Sequence, residues 1–166
     1  MKRKIRTLVV SALFAALICV ATMIIKIPTP LKGYINLGDC AVLLAGWLLP
    51  LGYSFLAAGI GSALADIFSG YFIYAPATFV IKGLTAVTAF LLFRVISRKA
   101  KDIISAAASG VASEIIMVAG YYIFEGFMYG FGASVVNILP NVFQAAAGIT
   151  LGVLLFGIFR KTKIRM

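Results

Sequence analysis

The 166-residue chain has no histidine, and its two cysteines, Cys19 and Cys40, stand in apolar segments without C-x-x-C spacing. Metal and dithiol chemistry are therefore not expected, and no cofactor is. No G-x-x-x-x-G-K-[ST] run is present to cradle ATP phosphates, so any work done on ATP belongs to another chain. Acids are scarce: Asp39, Asp66, Asp102, Glu114 and Glu125 are all there are. Charged residues make up 12%, where a soluble domain carries about 25%. What fills the chain is apolar: 63% hydrophobic residues and a mean hydropathy of +1.08. The composition is that of an integral membrane protein, one domain over 1–166 with no room for a separate soluble one.

A net charge of +10 raises the question of nucleic acid, but its placement answers otherwise. Twelve of the fifteen basic residues fall in three clusters that flank apolar runs: Lys2, Arg3, Lys4 and Arg6; Arg94, Arg98, Lys99 and Lys101; Arg160, Lys161, Lys163 and Arg165. The positive-inside rule puts all three clusters in the cytoplasm, beside membrane lipid, with no nucleic-acid partner. The first apolar run, Thr7 to Ile25, is long for a signal peptide and has no clear A-x-A site before Lys26, so it reads as a retained helix. Parity then counts the spans. Ile103 to Phe124 and Val135 to Phe159 supply two after the middle cluster, and Leu37 to Phe93 must cross an odd number of times. Three crossings of roughly 19 residues fit a hydrocarbon core about 30 Å thick. The expected fold is an all-α bundle of six transmembrane helices with both termini cytoplasmic. The second helix is expected to be short, between Asp39 and the turn at Pro50, and Ser69-Gly70-Tyr71 reads as an outer turn.

The outer connections carry the unusual content. KIPTPLKGYINLGD, Lys26 to Asp39, has two prolines, two glycines and the only basic residues assigned outside, Lys26 and Lys32; it reads as an ordered loop, and its Gly33 to Gly38 segment as one able to close over a pocket. The outer loop after the fifth helix is read as Glu125 to Ser134. Buried ionisable groups cost at least about 2.5 to 3.5 kcal/mol, so Asp66 and Lys82 need partners or a polar cavity. At similar depth in the third and fourth helices they are expected either to pair or to line a pocket. Asn137, Asn141 and Gln144 follow i, i+4, i+7 spacing and share one face of the last helix. Glu114, Val118 and Tyr121 or Tyr122 do the same in the fifth. Amides and carboxyls cannot face lipid, so these faces turn inward, to bind a ligand or to bond neighbouring helices. Tyr74 and Tyr122 are the tyrosines closest to the Lys82 and Glu114 faces, placed to stack on a flat ring; the remaining outer tyrosines suit an interfacial belt. Trp47 reads as an inner-surface anchor, Asp39 as a helix cap and Asn36 as a ligand contact. Gly59 with Ala63, and Gly148 with Gly152, offer small-residue faces for close helix packing.

The succession GYINLGD, LLAGWLLPLG, GIGSALADIFSGY, APATFVIKG and LPNVFQ, across roughly Ser11 to Phe159, resembles the S components of energy-coupling factor (ECF) vitamin transporters. The nearest likeness is to those for pyridoxine, hydroxymethylpyrimidine and riboflavin. The resemblance implies a non-enzymatic subunit of a bacterial cytoplasmic membrane that captures a vitamin outside and delivers it through a T component driven by two cytoplasmic ATPases. Ala12-Leu13-Phe14-Ala15-Ala16 is similar to the A-x-x-x-A motif with which the family docks on the T component, which makes Ala12 and Ala16 the expected docking residues. Small residues four apart let two helices approach closely where no hydrophobic effect operates. A solitary transporter or channel is the alternative, but the halves show no clear inverted repeat. A membrane enzyme would have only Asp39, Asp66 and Glu114 to work with.

Overall fold

A computed structural model describes residues 2–31 and 33–161, with side chains from Lys4 onward. Lys32, Lys163 and Arg165, to which the charge pattern assigns sides of the membrane, lie outside the described residues, as do the side chains of Lys2 and Arg3. The chain runs α1 (Lys2–Ile24), β1 (Lys26–Pro28), β2 (Tyr34–Asn36), α2 (Gly38–Leu48), α3 (Leu51–Phe68), α4 (Ala75–Ile96), α5 (Asp102–Tyr129), a single turn α6 (Phe131–Ser134), a 3₁₀ turn Val135–Asn137 and α7 (Ile138–Lys161). Among the described residues five helices are long and apolar enough to cross a membrane. Besides the single turn α6, the exception is α2, which has 11 residues and spans about 16 Å. The crossings between Leu37 and Phe93 are thus unequal, with α3 at 18 residues and α4 at 22.

Proline and glycine set the helix ends. Leu49 is extended (ψ 156°), as the residue before a proline tends to be, and Pro50 opens α3. Pro76 sits in the first turn of α4, where a missing N–H costs nothing. Gly70 (φ 84°) and Gly130 (φ 92°) take the left-handed conformations that end α3 and α5. The fifth helix runs five residues beyond the expected Phe124, to Tyr129, so Glu125 belongs to a helix and not to a loop.

Packing relies on small side chains. Ala41, Ala45, Ala57, Ala58, Ala86, Ala89 and Ala106 are buried, while large apolar residues such as Leu13, Ile24 and Phe127 face outward. Lipid is as apolar as leucine, so close approach of backbones decides the contacts. A Cβ on Gly61 would lie 2.5 Å from the Ala15 carbonyl oxygen, and one on Gly148 would lie 2.7 Å from Asp39 Cβ. These two positions set the α1–α3 and α7–α2 spacings. Interior hydroxyls turn back onto their own helix, as when Ser113 donates to the Ser109 carbonyl at 2.7 Å. Trp47 is not an interfacial anchor: it is buried, donates Nε1–H to Ser109 Oγ at 3.0 Å and packs against Phe156. Its inward direction follows from the shortness of α2, which keeps that helix inside the bundle.

Because the helices alternate in direction, one end of the bundle collects the β1–β2 hairpin, the α3–α4 turn and the α5–α7 connection. The opposite end collects Lys4, Arg6, Arg94, Arg98, Lys99, Lys101, Arg160 and Lys161, with Arg160 ion-paired to Asp102. Lys26 Nζ donates to Ser69 Oγ at 2.8 Å and ties the hairpin to the end of α3.

Candidate functional site

The buried polar side chains converge beneath the hairpin. Lys82, on α4, is ion-paired with Asp39 on α2, and neither side chain is more than 3% exposed. This corrects the expectation that Lys82 meets Asp66 and that Asp39 caps its helix. Lys82 lies two turns into α4, level with the start of the short α2, so its long stem reaches Asp39. The cap of α2 comes from Asn36, whose Oδ1 accepts the Gly38 N–H at 2.8 Å. The second Asp39 oxygen accepts Gln144 Nε2–H at 2.6 Å, and Gln144 Oε1 accepts the Asn36 N–H at 2.7 Å. One chain of polar contacts therefore links the hairpin, α7, α2 and α4. The Tyr121 ring lies 5.4 Å from Lys82 Nζ and adds a cation–π contact.

Asp66, at the end of α3, has a different partner. Its Oδ1 accepts the Tyr34 hydroxyl at 2.6 Å, while Oδ2 has no hydrogen bond. Burial, then the Asp66 carboxyl, holds the Tyr34 phenol well above its ordinary range, so it stays a donor. Tyr74 is raised by burial and then by Glu125, and donates to the Leu31 carbonyl at 2.7 Å. Glu125 Oε1 accepts Asn137 Nδ2–H at 2.8 Å; Oε2 is unpartnered.

These groups surround a cavity of about 30 Å³, lined by Thr29, Gly33, Tyr34, Asn36, Asp66, Tyr74, Thr78, Tyr121, Glu125, Asn141 and Gln144. Of the expected site residues, Asn36, Tyr74, Asp66, Asn141 and Gln144 line it. Lys82 and Asn137 stand behind it, each holding a residue next to the cavity or on its wall. The Asn141 side-chain amide has no hydrogen-bond partner among the described residues and is 8% exposed.

Two expected site residues face elsewhere. Tyr122 stacks with Phe131 at 5.7 Å and lines an apolar groove between α5 and α7, whereas its neighbour Tyr121 lines the cavity and meets the Thr78 hydroxyl at 3.1 Å. Adjacent helical residues are separated by about 100°, and the inward one is Tyr121. Glu114 lines the same groove, 2% exposed, with neither carboxyl oxygen hydrogen-bonded. Sequence reasoning missed Glu125, taken there as the start of a loop. Its i+11 spacing from Glu114, through Tyr121, was the available signal.

Ala12 and Ala16 are exposed along a second apolar groove, of about 540 Å³, between α1 and α3. Ser11, Ala15, Cys19 and Ala57 share its wall.

Residues 2–161 match the family model described as "ECF-type riboflavin transporter, S component". A Pyrococcus woesei protein described as "Uncharacterized protein in gap 3'region" is 35% identical over 137 residues, 81% of this chain and 88% of that protein. Among solved structures, the S-component for biotin from an ECF-type ABC transporter aligns with a TM-score of 0.67 and 20% identity, over 99% of this chain and 94% of that one. The S component of a bacterial ECF transporter aligns with a TM-score of 0.72 and 19% identity, over 98% of this chain and 99% of that one. At these identities the two structures show a shared fold.

Proposed function

From the premise that the chain belongs to the ECF-type riboflavin transporter S-component family, multi-pass membrane proteins and not enzymes, we propose that it captures a small one-ring B-vitamin or precursor of the pyridoxine or hydroxymethylpyrimidine type at its hairpin end. It delivers the vitamin inward with a T component and two ATPases. In this reading the hairpin end faces outward and the basic end, with both termini, faces the cytoplasm. The observation that carries it is the cavity under the hairpin, where three tyrosines, three amides and two carboxyls meet in an otherwise apolar bundle. A second reading, riboflavin, is favoured by the description of the family model.

The cavity of about 30 Å³ admits one water, far below the roughly 300 Å³ or more of a small-molecule site. Binding therefore displaces the hairpin, whose anchors are the Lys26–Ser69, Tyr34–Asp66 and Asn36–Gln144 contacts. Asn141, without a hydrogen-bond partner among the described residues, and Tyr74 and Tyr121, ring-bearing and buried, are the proposed first contacts.

A thermal-shift screen of the purified protein against B-vitamins tests the reading. The bound vitamin at about 100 times its dissociation constant is expected to stabilise by roughly 2.7 kcal/mol. Asn141→Leu is expected to weaken that vitamin's binding by about 1 to 3 kcal/mol with little change in the melting temperature of the free protein, because a ligand polar group loses its partner. Wild-type affinity in Asn141→Leu would place the vitamin elsewhere.

The orientation has its own test. Cysteines introduced at Gly130 are expected to react with an impermeant reagent in intact cells, and those at Lys99 only after permeabilisation. Reaction at Lys99 from outside would reverse the bundle.

A further inference from the structure

The acceptors left over at the cavity bear on what the vitamin carries. Asp66 Oδ2 and Glu125 Oε2 are both unpartnered, on residues 4% and 3% exposed, and both residues line the same cavity. Two donors on the cavity wall, the Thr29 hydroxyl and the Asn141 amide, have no partner among the described residues and meet neither oxygen, and three others are committed. Tyr34 donates to Asp66 Oδ1, Tyr74 to the Leu31 carbonyl and Asn137 to Glu125 Oε1. Positive charge is absent as well: among the described residues no lysine or arginine lines the cavity. Lys82, the buried cation behind it, is ion-paired with Asp39, and Lys26 is bonded to Ser69 on the exposed side.

A buried carboxyl oxygen without a donor is costly in a membrane bundle, and the cost is removed when a ligand supplies the donor. A ligand carboxylate would do the reverse, meeting two carboxyl groups with no lysine or arginine of the described residues on the cavity wall to pair with. On these grounds, and resting on the vitamin-binding reading above, we propose that Asp66 and Glu125 are specificity residues that select a ring bearing N–H, O–H or ammonium donors and reject rings bearing a carboxylate. The donors approach Asp66 Oδ2 and Glu125 Oε2, while Tyr74 and Tyr121 supply apolar faces for the ring.

The test is equilibrium binding to the purified full chain by matched compounds. Pyridoxamine, pyridoxine and 4-pyridoxate share one ring and carry an ammonium, a hydroxyl or a carboxylate on the same carbon framework. Thiamine, hydroxymethylpyrimidine and riboflavin extend the donor set; biotin and nicotinate extend the carboxylate set. At least one donor compound is expected to bind, and every carboxylate compound to bind at least about tenfold more weakly than it. Glu125→Gln and Asp66→Asn, each checked for an unchanged melting temperature without ligand, are expected to lose at least about tenfold in affinity for the donor compound, as loss of a charged hydrogen-bond acceptor does. If one of the two fails to fold, the other and the wild-type series decide. A carboxylate compound bound more tightly than any donor compound overturns this inference and leaves the vitamin-binding reading standing. Failure of every compound in both sets to bind overturns both.

Discussion

Lys82→Met is expected to cost about 3 to 5 kcal/mol of stability, because it leaves the Asp39 carboxylate buried, fully inaccessible and without its cation. Adding Asp39→Asn is expected to recover most of that loss, since a neutral amide can keep the Gln144 contact and needs no counter-charge. Adding Asp66→Asn to Lys82→Met instead is expected to recover little, because Asp66 bonds Tyr34 and not Lys82. Chemical or thermal unfolding of the three variants in detergent measures this directly. Rescue by Asp66→Asn and not by Asp39→Asn would move the ion pair to where the sequence first suggested it. The pair also sits at the end of the chain of contacts through Gln144 to Asn36, so its loss reaches the hairpin. Ligand affinity of the double variant Asp39→Asn with Lys82→Met is accordingly expected to fall, even where its fold is recovered.

Ala12→Leu together with Ala16→Leu is expected to abolish vitamin uptake in cells while the purified subunit keeps its affinity. Both alanines are exposed along the α1–α3 groove, remote from the cavity under the hairpin. Both alanines line the groove and are exposed in the free subunit, so its fold and ligand affinity are expected to persist. A partner helix seated there at backbone contact distance would be forced away by two isobutyl groups. Uptake of radiolabelled vitamin and equilibrium binding to the purified variant separate the two effects. Lost binding with normal assembly of the transporter complex would show that this groove serves ligand binding and not docking.

The bundle itself was largely legible. Clustered basic residues and apolar run lengths locate six helices, and the interval from Asp39 to Pro50 locates the short one, because insertion energetics act on these features one segment at a time. Which side chains meet was less so. Periodicity places Asp66 and Lys82 at comparable depth but does not say which neighbour a lysine stem reaches; the short α2, packed against α4 and α7, brings Asp39 within range. The cap expected of Asp39 comes from Asn36 for a local reason: an asparagine two residues before a helix can bond the N–H of Gly38, leaving the aspartate free to point inward to Lys82, while Asn36 lines the cavity as well. Tyr121 and Tyr122 differ by one position, and only the packed structure tells which faces Thr78. Glu125 was hidden by the glycines and aromatics after it, which resemble a loop, although the helix persists to Tyr129. The amide face of Asn137, Asn141 and Gln144 was readable because helix geometry alone determines it, even with Asn137 in the 3₁₀ turn that precedes α7.

The central claim is that this subunit holds the vitamin while other chains supply the energy. Its most direct test is purification of the tagged full chain from native membranes, followed by identification of what comes with it. The expected result is a stable complex with a transmembrane T component and two P-loop ATPases, whose vitamin uptake in liposomes requires ATP hydrolysis. The contradicting result is the chain alone, or as copies of itself, carrying the vitamin across liposomes without ATP.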